Sequence, residues 1–145
     1  MLALVCTSAY GGSQTDYRNK ILGSWRCESV VETEQGRYRV EGYTRLNPEG
    51  SMSSQGNIFV YNAMLNMELP MKYSSEGSWV FENLQLKGHV SRGNIETGYP
   101  VLDKFADVLE SQVMQDPYFS ARLTKIGDNA MVFEAEDKTL VICQK

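Results

Sequence analysis

The chain has 145 residues, enough for one domain that buries most of the apolar surface of an ordinary core. Hydrophobic residues make up 42% and charged residues 22%, which is the composition of neither a disordered nor a membrane-embedded chain. The formal net charge is −4 and the basic residues are scattered, which argues against the concentrated basic face that nucleic-acid binding needs.

The N-terminus opens with a short apolar run, residues 1–9, ending in the small residues Thr7, Ser8 and Ala9. It reads as the remnant of a signal peptide or membrane anchor, although no basic residue precedes it. The alternative is an ordinary apolar tail, and as written the run is too short to span a bilayer. Cys6 lacks the small residue expected just upstream of a lipidated cysteine. Gly11, Gly12, Ser13, Gln14 and Thr15 read as a flexible linker. The chain therefore divides into a leader and linker over residues 1–20 and a folded domain over 21–145.

From there β signals repeat. Residues 21–33 alternate loosely and stop at a turn formed by Glu34, Gln35 and Gly36. Residues 38–46 alternate cleanly, with Tyr38, Val40, Gly42, Thr44 and Leu46 on one face. Asn47, Pro48, Glu49 and Gly50 make a strong turn, since Pro presets one turn angle and Gly accepts positive φ. Residues 52–62 form the third strand, with Met52, Ser54, Gly56, Ile58 and Val60 inward. The fourth, 71–82, groups Tyr73, Ser75, Gly77, Trp79 and Phe81; the fifth, 84–96, groups Leu84, Leu86, Gly88 and Val90. Residues 118–126, 130–136 and 138–144 complete eight strands, joined by tight hairpin turns. Between the fifth and sixth, residues 99–116 instead place Val101, Leu102, Phe105, Val108, Leu109 and Val113 at helical spacing, with Pro100 at the start and Pro117 at the stop. Eight antiparallel strands with one helix solve their edge problem best by closing, so the expected fold is a mainly β, up-and-down eight-stranded barrel.

Closure makes the first and last strands neighbours, which brings Cys27 and Cys143 within disulfide reach. The bond implies an oxidising compartment, periplasmic or extracellular. The competing reading is a pair of buried free thiols in the cytosol, and Cys6 is left over in either case.

Ile21, Leu22, Gly23, Ser24, Trp25, Arg26 and Cys27 resemble the G-x-W opening strand of bacterial lipocalin-like domains. Gly77, Ser78 and Trp79, followed by Leu84, resemble that group's second G-x-W strand pair, and Cys143 its terminal cysteine. The resemblance covers residues 21–145 and implies a lipocalin-like, or calycin-like, barrel with Trp25 and Trp79 in structural roles. A narrower resemblance, through Arg45 to Gly50 and the Trp79 strand, is to periplasmic barrel partners of membrane-bound regulators, the ToxS and VtrC type. It implies an accessory subunit that pairs with a DNA-binding membrane regulator and senses bile salts. The chain departs from the classical lipocalin in placing its helix between strands rather than after the last.

No catalytic constellation stands out. His89 is the only histidine and no cysteine pair has metal spacing, so neither a metal nor a cofactor is expected. There is no G-x-S-x-G elbow. Glu32 with Glu34, and Glu134 with Glu136, share strand faces, but faces expected to point to solvent. Gly36, Gly42, Gly50 and Gly56 form no phosphate loop. The segment 63–71, between the third and fourth strands, carries Met64, Met67 and Met71 with two leucines. It reads as a ligand portal near Phe105 and Leu109, as plain core, or as a partner contact. Small inward residues on strands three to five leave room inside. The expected function is an exported, non-enzymatic binding protein for a small apolar or amphipathic molecule, such as a lipid, fatty acid or bile salt. Met52, Ser54, Ile58, Met64, Met67, Tyr73, Phe105 and Leu109 are the candidate ligand contacts. The alternative is the regulator's accessory subunit.

Overall fold

Strict alternation along the strands decides which side chains enter the core, and the register of the sheet decides how far the core extends. The structure, a computed structural model, describes residues 14–33 and 36–145. The apolar run at the N-terminus, Cys6 and the predicted turn residues Glu34 and Gln35 lie outside the described residues.

Eight antiparallel strands follow one another around a closed barrel in chain order. They are β1 (Gly23–Thr33), β2 (Gly36–Leu46), β3 (Ser51–Asn62), β4 (Met67–Glu82), β5 (Gln85–Thr97), β6 (Tyr118–Ile126), β7 (Ala130–Ala135) and β8 (Leu140–Gln144). Helix α1 (Gln14–Ile21) precedes β1, and helix α2 (Pro100–Gln115) connects β5 to β6. The expected fold class is the observed one, including the helix that interrupts the strands. Pro100 opens α2, where its missing N–H costs nothing, and Asp103 lies in the first turn, where it complements the helix dipole.

The ring closes along only part of its length. β1 pairs with β2 over its whole span but with β8 only over residues 26–29. Likewise β5 follows β4 to its end but meets β6 only over residues 85–89. The result is a barrel closed at one end, from which β1 to β5 continue as a curved sheet. Helix α2 lies against the inner face of that extension, through Leu102 and Ala106 onto Ile58, Leu69 and Met71. Its Glu110 carboxylate accepts the Ile95 N–H at 3.2 Å, so the edge of β5 that runs beyond β6 is capped by the helix.

The closed end holds the larger apolar cluster, with Trp25, Leu46, Trp79, Phe81, Leu86, Leu123, Met131, Phe133 and Cys143. Here Cys27 and Cys143 face each other in register, Cα atoms 4.0 Å apart, and are joined by the expected disulfide across a separation of 116 residues. Trp79 donates its indole N–H to the carbonyls of Ser51 (2.9 Å) and Asn47 (3.1 Å), tying β4 to the predicted β2–β3 turn.

Two local expectations change. Residues 14–15 are not linker but the first turn of α1, which stoppers the closed end. Ile21 is fully buried there, its carbonyl accepts the Trp25 indole N–H at 2.9 Å, and Arg18 lies over the Trp79 ring while donating to the Pro48 carbonyl. Only Tyr17 and Ile21 of this helix face the core, too few to show a period. Gly23, at φ +106°, makes the turn from helix into strand. The segment 63–71 is likewise mostly strand: β4 starts at Met67, and Leu69 and Met71 point inward. Pro70 fits because β5 pairs with β4 only from Met71 onward, so no hydrogen bond is lost on that side.

Candidate functional site

Between the two apolar clusters the barrel narrows to a belt of small and hydroxyl-bearing residues. Gly42 and Gly56 face each other across β2 and β3, and Thr44, Ser54 and Ser75 share one register line. A Cβ on Gly42 would fall 2.2 Å from the Gln55 carbonyl oxygen and 2.7 Å from the Tyr73 hydroxyl, so this crossing requires glycine. The space saved admits the Tyr73 side chain. Its Oη lies 3.4 Å from Ser54 Oγ, which is 3.0 Å from Thr44 Oγ1. Burial pushes the Tyr73 phenol up, and the Ser54 contact offsets this only in part. Burial also raises the Tyr38 phenol, with the negative charge of Asp137 adding to it.

Above this belt opens a cleft of about 220 Å³, between the inner face of β2–β5 and the C-terminal half of α2. Val40, Ile58, Tyr73, Val90 and Ile95 line the sheet side, while Val113 and Met114 line the helix side. The sheet side depends on a bulge. Glu76 pairs with Arg92 but Gly77 with Val90, leaving Ser91 unpaired, so the inward phase of β5 passes from Val90 to Gly93 and Ile95. The helix side follows from the apolar stripe that continues past Leu109. A larger hollow of about 690 Å³ lies outside the barrel near Arg39, but Arg39 is already paired, with Glu41 at 2.6 Å and with Glu68 of the hollow's lining at 3.6 Å.

The predicted contacts separate in three dimensions. Ile58 and Tyr73 line the cleft, and Ser54 sits beneath it through Tyr73. Phe105 and Leu109 pack against the neighbouring apolar cluster, with Phe105 edge-on to Tyr38 at 6.1 Å. Met52 packs instead against the closed-end cluster. Met64, 95% exposed, and Met67, 51% exposed, stand at the tip of the β3–β4 hairpin, whose turn is fixed by Asn62 accepting the Leu65 N–H. Leu69 and Met71, not those two methionines, meet the helix. Val40, Val90, Ile95, Glu110 and Met114 were not among the expected contacts. Val113 was visible in the helical spacing but not as a lining residue.

Elsewhere the chemistry is sparse. His89 lies against Tyr118, ring centroids 4.8 Å apart and tilted by 54°, Glu134 pairs with Lys138 at 3.4 Å, and among the described residues no three His, Cys, Asp or Glu side chains gather as a metal site.

No protein-family model and no curated protein matches the chain. Among solved structures, a lipocalin-like protein from Bacteroides uniformis ATCC 8492 is similar, with a TM-score of 0.47 and 13% identity, covering 87% of this chain and 98% of that one. An uncharacterized protein from Bacteroides eggerthii DSM 20697 has the same TM-score of 0.47 at 9% identity, covering 86% and 98% respectively.

Proposed function

We propose that this protein is an exported, non-enzymatic binding barrel that holds a small apolar or amphipathic molecule between α2 and the inner face of β2–β5. The observation that carries this reading is the cleft itself: apolar side chains from three strands and a helix, with Tyr73 of a fourth strand, converge on one opening. The Cys27–Cys143 bond supports export, because such a bond persists in an oxidising compartment.

The volume limits the ligand. At about 30 Å³ per water-sized group, 220 Å³ takes on the order of seven heavy atoms, so the cleft suits a short chain or one end of a longer one. Burying six methylenes at about 0.8 kcal/mol each gives about 5 kcal/mol, hence a Kd on the order of 0.1–1 mM for an eight-carbon probe.

The test is calorimetric titration of the full chain with short alkyl probes, alongside two variants. Val113→Trp fills the cleft from the helix side and should abolish binding. Met64→Ser, at the exposed hairpin tip, should leave it unchanged. Binding that survives Val113→Trp would place the ligand elsewhere and overturn the assignment.

A further inference from the structure

The lining of the cleft also bears on the head group of its ligand, a deduction that rests on the binding function proposed above. Among the twelve residues that line it, Glu110 is the only one with a formal charge at neutral pH; none is Lys, Arg or His. Glu110 is half-buried, and its carboxylate is held by the Ile95 N–H at 3.2 Å, so the negative charge is fixed over the cleft. The cation on this stretch of β5, Arg92, is exposed and lies 3.8 Å from Glu76. The other polar side chains of the lining are uncharged: Ser74, Ser75, Asn94 and Tyr73, whose hydroxyl is backed by Ser54 and Thr44. Such a chain of hydroxyls donates and accepts hydrogen bonds but brings no positive charge to neutralise an anion.

We infer that the cleft selects uncharged amphipaths, an alkyl chain with an alcohol or carbonyl head, and rejects anions such as fatty carboxylates. A carboxylate head would be desolvated against apolar walls and repelled by Glu110, with no cation in the lining to pair with. An uncharged alcohol head carries a far smaller desolvation cost and meets no repulsion from Glu110. Two like charges roughly 6 Å apart in a half-exposed site, at an effective dielectric of about 40, repel by about a tenfold change in affinity.

The experiment titrates the full chain at pH 8 with 1-octanol, octanoate and octylammonium, in the wild type and in Glu110→Gln. The glutamine oxygen still accepts the Ile95 N–H, so the fold is retained, and the thermal midpoint checks this. The expected result is saturable octanol binding and octanoate weaker by about tenfold or more. In Glu110→Gln the ratio of octanoate to octanol affinity should rise several-fold. Octanoate binding as tightly as octanol overturns the charge selection and leaves the binding reading standing. Octylammonium binding tightest overturns it in favour of a cation site. A discrimination unchanged in Glu110→Gln removes Glu110 from the explanation and with it the inference. If no probe binds, the binding reading itself fails.

Discussion

Loss of the Cys27–Cys143 bond should cost this fold a large share of its stability. The bond links residues 116 positions apart, so in the unfolded chain it closes a loop covering nearly the whole barrel. The loop-closure model gives about 16 cal/mol/K for that length, or about 4.8 kcal/mol at 25 °C. Domains of this size lose about 4 °C of Tm per kcal/mol, so the expected fall is between about 10 and 20 °C once native strain is allowed for. The assay compares the double variant Cys27→Ala with Cys143→Ala against the wild type, both carrying Cys6→Ser so that no third thiol exchanges. Reductant should lower the wild-type midpoint by a similar amount and leave the double variant unmoved. The variant should fall slightly further than the reduced wild type, because Cys143 is buried in the closed-end cluster and its sulfur contacts are lost as well. A fall below about 4 °C, worth about 1 kcal/mol, would refute the reasoning. It would mean that the bond restricts the unfolded ensemble far less than its loop length requires.

The same geometry sets three further outcomes. Trp79→Phe removes the donor shared by the Asn47 and Ser51 carbonyls and should cost about 2–3 kcal/mol in urea unfolding; a loss under about 0.5 kcal/mol would show those bonds to be idle. Gly42→Ala drives a methyl to within 2.2 Å of the Gln55 oxygen and should destabilise by about 2–3 kcal/mol or disturb the β2–β3 register, whereas Gly98→Ala, with nothing within 4 Å, should stay within about 0.5 kcal/mol. Tyr38 and Tyr73 hold phenols raised by burial, so the unfolded chain gives up their protons first. Their contribution is complete below an unfolded value near pH 10 and is lost as pH climbs toward the folded values, so the urea midpoint should drop as pH rises above about 10, and drop less in Tyr73→Phe.

Much of the scaffold is legible in the sequence because its determinants are local. Period-two runs, a Pro–Gly turn at residues 47–50 and a Pro-bounded helical stripe each speak for themselves, and strand order plus closure then brings Cys27 to Cys143. The failures have equally physical causes. Helix α1 is anchored by two apolar contacts and a cation over an indole, which leave no period to read. The start of β4 hides behind Pro70, tolerable only because β5 does not reach it. The cleft was the hardest to foresee. Alternation tells that Met52 and Ile58 point inward, but not that one faces the closed end and the other the cleft. Ile95 joins the lining only because one residue, Ser91, drops out of pairing.

That separation of ends explains how one small barrel combines a rigid frame with an accessible interior. The disulfide, the two tryptophans and α1 all act where β1 meets β8, and none of them lines the cleft. At the other end α2 is held through Leu102 and Ala106 in its first half, while its second half presents Val113 and Met114, 39% and 48% exposed, and is tied to the sheet through Glu110. Moving that second half outward breaks one side-chain hydrogen bond and uncovers few buried groups, at a cost of about 1–2 kcal/mol, far below the cost of unfolding. Under the proposed binding function, ligand entry requires no breach of the closed barrel, and the Glu110–Ile95 contact sits where that opening and the inferred charge selection coincide.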